Sequence, residues 1–349
     1  MDRRGLLRTH IDLTTARVLE IGALAVPLVA PDEAAVEYVD HLDTEGLRTA
    51  YRGHPGVDID KLVDVTYVWN GGTFAEAIGK TGAFDAIVSS HVFEHLPNPI
   101  QWLLDARQVL VPGGQIYMVV PDKRFTFDKN RTKTRVGDWV EWYLEKLSRP
   151  STGQIYDYHA EVVNVPPGYG WKPEPAGGFP RIYDPGMSME QARRTAETGV
   201  YIDAHCSVFT PVSLLALFEE IDRLDLFPFE VTHVYPTEAN DIEFALVLRA
   251  SEPPSAPQFT REIDQQLARE AGYTGAFGAG GFAAALEADP GLRARHQELK
   301  QKWMSEATTA RARAPFPNLD PTLHDDSPGP TDPRIAKPGF FSLWKPRGR

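Results

Sequence analysis

The sequence is poor in cysteine, in net positive charge and in long apolar runs. Cys206 is the one cysteine among 349 residues, so no intramolecular disulfide can form, and a reducing cytoplasm is the expected compartment. No apolar run approaches the roughly 20 residues that a transmembrane helix needs, so no membrane span is expected. The charged first residues are not followed by an apolar segment, so no signal peptide is expected.

The charge balance argues against one class of partner. The formal net charge is −12 at pH 7, and nucleic-acid phosphates would be repelled by such a chain unless it had a basic face. A local basic stretch could bind an anionic substrate group, although a solvated loop explains it equally well. This stretch comprises Lys123, Arg124, Lys129, Arg131 and Lys133.

Three apolar runs near the N-terminus end in residues suited to ligand binding. The first contains Glu20 and is followed by Gly22, the second ends in Asp40, and the third, residues 84–88, leads into the segment 89–96. Each run is typical of a buried parallel strand that ends at a loop. Ligands of open α/β sheets bind outside the carboxyl ends of such strands, and a glycine lets the loop pass close to a ligand. The pattern predicts a nucleotide-type cofactor site.

The fingerprint of a nicotinamide dehydrogenase is missing from the first loop. A dehydrogenase would show G-x-G-x-x-G after this strand. The residues that follow Gly22 are instead Ala23, Leu24, Ala25, Val26 and Pro27. The loop therefore favours another class of doubly wound protein.

These runs, with the segments 110–114 and 117–121, resemble the class I S-adenosylmethionine (SAM)-dependent methyltransferases. The loop is similar to an E-I-G-x-x-x-x-P form found in some bacterial members. The resemblance spans roughly residues 15–125 and returns at 205–250. It implies an α/β fold with a Rossmann-like, doubly wound, mostly parallel seven-stranded sheet. It also implies SAM as the cofactor and methyl transfer to a small molecule.

The chain is long enough for more than one structural unit. Residues 1–125 and 201–250 are expected to form the SAM-binding core. The aromatic, Pro/Gly-rich segment 126–200 is expected to be an inserted lid over the acceptor, with Tyr156 and Tyr158 in loops. Residues 251–313 are predicted to form a helical extension, and residues 314–349 a disordered tail.

The resemblance assigns cofactor contacts to residues at the strand ends. Glu20 and Gly22 are expected to frame the methionine end of SAM, and Asp40 to bind its ribose hydroxyls. Asn70 follows the third strand, where the family has a polar residue against adenine, and Gly71 would permit the turn.

Residues after the fourth and fifth strands face the transferred methyl group in this fold. Ser90 or His91 is expected to line the methionine pocket. A hydroxyl nucleophile must lose its proton, so His91, His95, Asp122 and His205 are the candidate catalytic residues. Structural alternatives remain open, because His95 could be a helix-start histidine, Asp122 a helix cap and His205 a buried core histidine.

Other functions are also compatible with the sequence. No tight ligand spacing supports a metal site, so none is predicted, although five residues could form one: His91, Asp122, His159, Asp203 and His205. A catalytically inactive scaffold subunit and a SAM-fold enzyme of different chemistry are the alternative functions. The expected partner is a small-molecule acceptor with a hydroxyl or amine, such as a sugar or natural product, and a homo-oligomer is left open.

Overall fold

The computed structural model describes residues 1–251, 259–275 and 281–311. These residues divide into two compact units, the first running to Glu262 and the second beginning at Ile263. None of the described helices is long and apolar enough to cross a membrane.

The first unit is built on one mixed sheet of seven strands. Its order is β3-β2-β1-β4-β5-β7-β6, and β7 alone runs antiparallel to its two neighbours. The predicted α/β fold with a seven-stranded, mostly parallel sheet is thereby confirmed. The strands are β1 (Arg17–Ile21), β2 (Ala35–Asp40), β3 (Tyr67–Val68), β4 (Phe84–Ser90), β5 (Leu110–Pro121), β6 (Phe229–Tyr235) and β7 (Glu243–Ala250).

Eight α-helices belong to this unit within the described residues. Their ends follow local sequence: Thr73 forms a capping box with Glu76, and Asn98 caps a helix that begins at Pro99. The helices are α1 (Arg3–His10), α2 (Thr44–Ala50), α3 (Phe74–Ile78), α4 (Pro99–Val109), α5 (Val136–Leu144), α6 (Thr152–Glu161), α7 (Pro185–Thr198) and α8 (Pro211–Asp222).

The core lies against the central strands. On one face of the sheet, Val18, Val88, Tyr117 and Val247 are fully buried and form one apolar cluster with Leu7 of α1. Alternate residues of a strand point to opposite faces, so this face receives every second side chain of β1, β4, β5 and β7. The carboxyl ends of β1, β2 and β4 therefore meet at one edge, with Ile21 paired to Val39 and to Ser89.

The segment 126–200 is more regular than its composition predicts. It contains α5, α6 and α7, and Tyr156 and Tyr158 lie on α6, so the expectation that they lie in loops is wrong. Ser151 caps α6 by bonding the amide of Gln154, a signal that the aromatic content of the segment obscures. Trp139 of α5 is fully buried and belongs to the core of the first unit, where it contacts Phe93.

The second unit is helical over its described residues. It contains most of α9 (Phe259–Glu270), followed by α10 (Gly281–Ala288) and α11 (Pro290–Arg311). Tyr273 and Leu292 are among the buried residues of its apolar cluster. The predicted disordered tail, residues 314–349, lies outside the described residues.

Candidate active site at the carboxyl ends of β1, β2 and β4

Glu20 organises the loop that follows β1. Its buried carboxylate accepts hydrogen bonds from the backbone amides of Leu28, at 2.7 Å, and Val29, at 2.9 Å. An ionised carboxylate that accepts two amides makes strong, charge-assisted bonds. Glu20 therefore fixes the C-terminal end of the loop 22–29. It would act on a ligand indirectly, by holding the backbone of that loop in place.

Gly22 is required by its backbone conformation and by its neighbour. Its φ is +68°, a left-handed value that side chains disfavour. A Cβ at this position would lie 3.0 Å from Cγ2 of Val92. The loop after β1 thus runs directly against the segment that follows β4, and the open edge beside Gly22 is a cradle that a side chain would fill.

Asp40 ends β2 beside this cradle. It is 8% exposed, and its Oδ1 accepts a hydrogen bond from the backbone amide of His41 at 2.7 Å. The ring Nδ1 of His41 lies 2.6 Å from the same oxygen. Asn70 and Gly71 lie in an exposed turn just after β3, which pairs with the end of β2. Asp40, Asn70 and Gly71 thus lie at or just after the ends of neighbouring strands, as the sequence predicts. Their roles in cofactor binding stay predictions.

His91 lies just beyond Ser90, the last residue of β4, in a strained conformation. Its φ is +54°, and such values in residues other than glycine concentrate at functional sites. Its Nε2 lies 2.7 Å from the carboxylate of Glu243, which also pairs with Arg3. Burial lowers the pKa of His91, but the hydrogen bond to Glu243 and the nearby carboxylates of Glu243 and Glu94 outweigh burial and raise it.

Glu94 is the centre of a histidine cluster, which comprises Glu94, His91, His95 and His205. The glutamate is fully buried. Its Oε1 lies 3.5 Å from Nδ1 of His91 and 3.9 Å from Nε2 of both His95 and His205. The rings of His95 and His205 meet edge to face with centroids 4.6 Å apart. The fold therefore assembles three of the four predicted catalytic residues around a carboxylate.

Each histidine of the cluster holds its other ring nitrogen against one of three outer carboxylates, which are Asp128, Asp203 and Glu243. Nδ1 of His95 lies 2.9 Å from Asp203, and Nδ1 of His205 lies 2.5 Å from Asp128. Burial alone lowers the pKa of His95, but Asp203 raises it to about 9.

The pKa values of two outer carboxylates fall for the same reason. Burial raises the pKa of Asp128, but His205 and Arg131 outweigh it and bring the value to about 2. Burial also raises the pKa of Glu243, but His91 and Arg3 bring it to about 2. Both groups are therefore ionised at neutral pH and fix the orientation of the rings they face.

Asp122, the fourth predicted catalytic residue, has a different environment. It is fully buried, and its carboxylate receives three hydrogen bonds of 2.6–3.2 Å from the guanidinium of Arg124 and one of 2.8 Å from Thr237 Oγ1. It also caps the short 3-10 helix Lys123–Phe125. These contacts match the helix-cap alternative, and the structure does not bring Asp122 into the histidine cluster.

Two residues of the site have no local sequence signal. Asp128 and Glu243 are separated from their histidine partners by 77 and 152 residues, and neither belongs to a recognisable motif. His159, an alternative metal ligand in the sequence, is buried on α6 with Nδ1 2.8 Å from the carbonyl of Ile155. Only the contacts in the three-dimensional structure show which partner each of these side chains has.

The family of the chain follows from comparison with known proteins. A family model described as a methyltransferase domain matches residues 11–222, which is more than half of the chain. The chain therefore belongs to the methyltransferase-domain family: it is a class I SAM-dependent methyltransferase, and SAM is its cofactor. No curated protein sequence matches the chain.

Solved structures with this fold include several methyltransferases. A SAM-dependent methyltransferase from Mesorhizobium loti is 14% identical, with 70% of this chain and 96% of that chain covered and a TM-score of 0.36. One from Methanosarcina mazei is 15% identical, with 70% and 96% covered and a TM-score of 0.35. The trans-methyltransferase CalH in complex with SAH is 17% identical, with 71% and 54% covered and a TM-score of 0.34.

Proposed function

We propose that the enzyme transfers the methyl group of SAM to a hydroxyl group of a small molecule. The observation that carries this proposal is the close approach of Gly22 to Val92, where an added Cβ would lie 3.0 Å from Cγ2, since it sets the loop 22–29, called the cofactor loop below, against the segment that bears His91. A methyl donor in that loop and a proton acceptor in the histidine cluster would then lie at the same edge of the sheet.

The residues at the strand ends suit SAM. The left-handed Gly22 leaves room for the methionine end, and Glu20 fixes the loop around it. The carboxylate of Asp40 suits the two ribose hydroxyls, and Asn70 and Gly71, in the exposed turn after β3, are assigned to adenine. Ser90 completes the methionine pocket at the end of β4. When bound, SAM supplies an electrophilic methyl group on a positively charged sulfur.

On the acceptor side, the hydroxyl must be aligned with the methyl group, and a protein group must accept its proton. As the acceptor oxygen bonds to the methyl carbon, the carbon–sulfur bond breaks and the sulfonium becomes a neutral thioether. The hydroxyl proton passes to a ring nitrogen of the histidine cluster. His91 is the favoured base because it adjoins the cofactor loop, with His205 next and His95 last.

Two aromatic side chains of the segment 126–200 lie against the histidine cluster. Phe127 and Tyr158 flank the ring of His205, with centroid distances of 4.8 and 5.9 Å. Aromatic walls exclude water from the proton-transfer step and offer faces on which a sugar or a natural-product ring can stack. We therefore assign this segment to acceptor binding, with α6 as the element nearest the cluster.

A two-stage experiment tests the function. Calorimetry first measures SAM and S-adenosylhomocysteine binding to the wild type. A transfer assay with methyl-labelled SAM then screens nucleotide sugars and natural-product alcohols against the matching amines, and mass spectrometry locates the methyl group. O-methylation that falls 10²–10⁴-fold in His91→Asn, with cofactor affinity unchanged, is expected for loss of a general base. Methylation of amines or carbon in preference to hydroxyls would refute the proposed acceptor.

A further inference from the structure

The carboxylate of Glu94 is buried without the hydrogen bonds that a buried charge normally has. Its exposed fraction is 0%, and neither oxygen has a partner with hydrogen-bond geometry among the described residues; Nδ1 of His91, 3.5 Å from Oε1, pairs with it by charge alone. Buried polar groups are almost always bonded, and buried carboxylates are paired or coordinate metals. The oxygens of Glu94 therefore require an explanation other than packing.

Two imidazole nitrogens share the space in front of Glu94. One carboxylate oxygen of Glu94, Nε2 of His95 and Nε2 of His205 all lie within 4.8 Å of one another. The two nitrogens are each 3.9 Å from Oε1. A tetrahedral ion with bonds of about 2.1 Å would set its ligand atoms roughly 3.4 Å apart. The two nitrogens would each have to move about half an ångström closer to Oε1, and the separation of the two nitrogens, at most 4.8 Å, would have to shrink to about 3.4 Å.

The partners of the two rings match the environment of metal-binding histidines. A ligating histidine donates its other N–H to a carboxylate or carbonyl, which fixes the ring and its tautomer. His95 places Nδ1 2.9 Å from Asp203, and His205 places Nδ1 2.5 Å from Asp128. Both rings thereby direct Nε2 towards Glu94. A core histidine that served only packing would not need a buried carboxylate behind it.

We propose that Glu94, His95 and His205 bind one divalent transition-metal ion. Two imidazoles and one carboxylate suit zinc or iron, whereas magnesium and calcium prefer oxygen ligands alone. A set of three protein ligands leaves at least one coordination position open, as in catalytic zinc sites. The ion would also give the buried carboxylate of Glu94 a direct bond, which its contacts of 3.5–3.9 Å with the histidines do not provide.

The charges around the cluster favour a dication. Glu94 and the three outer carboxylates bring four negative charges. Arg131 pairs with Asp128, and Arg3 pairs with Glu243, so two guanidinium groups offset two of them. The remaining two negative charges equal the charge of one divalent ion, whose binding would displace the ring proton from any ligand histidine that carries one. Neutral imidazole is the form that coordinates a metal.

The catalytic role of this ion rests on the proposed function, whereas its binding does not. The open coordination position would hold the acceptor oxygen and favour its ionised form, which is the better nucleophile for a methyl group. His95 and His205 would then act as ligands, and His91 would remain to take the proton. The acceptor class narrows to oxygen nucleophiles able to bind a metal.

Metal titration tests the site directly. Chelator-treated enzyme is titrated with ZnCl2 by calorimetry and with CoCl2 by visible spectroscopy, because bound cobalt reports nitrogen and oxygen ligands by its absorption. One equivalent is expected to bind. Affinity is expected to fall at least about 100-fold in Glu94→Gln and His205→Ala, and about 10–100-fold in Asp203→Asn, which removes only a positioning contact. Circular dichroism verifies that each variant is folded.

His233→Ala is the matched control. His233 is exposed on β6, and its ring lies 4.2 Å from that of His10, so this histidine pair reports adventitious metal binding away from the proposed site. The control is expected to bind as the wild type does. Binding lost in His233→Ala, or unchanged in Glu94→Gln, would overturn the proposal, as would no binding at all. SAM titration of the same samples separates this failure from failure of the proposed function.

Discussion

The carboxylate of Glu20 and the backbone amide of Leu28 are joined by a buried hydrogen bond of 2.7 Å. The penultimate residue of β1 thus holds a loop residue eight positions further along the chain. In this enzyme the acidic residue of the first strand is therefore part of the structure of the loop 22–29. Four predictions concern the residues at this edge of the sheet and the core that supports them.

Replacing Glu20 with Gln should destabilise the first unit and loosen the cofactor loop. The amide side chain has one acceptor oxygen, so one of the two donors, Leu28 or Val29, loses its partner in a buried position. The expected cost is about 1–3 kcal/mol in the free energy of unfolding, measured by urea denaturation. SAM affinity should fall as well. Unchanged unfolding would show that the loop is held by other contacts.

Gly22→Ala should impair SAM binding more than folding. The left-handed φ costs roughly 1–2 kcal/mol for alanine, and the new methyl group approaches Val92. Gly79→Ala is the control, since its φ is +62° and its Cβ would meet no atom closer than 4.0 Å. Gly22→Ala should lose at least as much stability as Gly79→Ala, and only Gly22→Ala should lose SAM affinity in calorimetry. Equal SAM affinity in both variants would show that the space beside Gly22 is not part of the cofactor site.

Substitutions of Asp40 should weaken SAM binding in two steps. Asp40→Asn keeps an oxygen for the amide of His41 but loses the charge, whereas Asp40→Ala loses both. The alanine variant should lose about 1.5–3 kcal/mol of SAM binding free energy, and the asparagine variant less. The exposed Asp64→Ala serves as the reference for charge alone. If all three bind SAM as the wild type does, ribose is held elsewhere.

Trp139→Ala should strongly lower the free energy of unfolding, although the residue lies in the segment expected to be a lid. The indole is fully buried against Phe93, and its Nε1 donates to Ser207 Oγ at 3.1 Å. Loss of such a side chain typically costs 3–5 kcal/mol. Trp142→Ala on the same helix, where the ring is only half-buried, should cost less than half as much in thermal or urea unfolding.

The strand ends could be predicted because their signals are local. Glu20 and Gly22 mark the end of the first apolar run, and Asp40 marks the end of the second. These runs specify buried parallel strands and the loops between them, and the sheet follows from their order. The third strand is short: in the structure it comprises only Tyr67–Val68. Asp58 caps a short 3-10 helix, a local bond that competes with strand pairing.

The histidine cluster could be predicted only in part. His91, His95 and His205 are visible as titratable residues near strand ends, but their partners lie far away in sequence. Asp203 is 108 residues from His95, and the spacing of ligands along the chain does not predict the site formed with Glu94. The helix α6, whose Tyr158 flanks His205, is similarly hidden within a Pro/Gly-rich segment.

The outer carboxylates also set an order of assembly during folding. Asp128, Asp203 and Glu243 come from three distant parts of the chain, and Glu243 begins the last strand. A chain emerging from the ribosome can pair β1, β2 and β4 well before Glu243 is available. Because contacts between distant residues form late, the cofactor loop should acquire its shape first and the histidine cluster last. A partly folded enzyme would therefore be able to hold its methyl donor before it could use it.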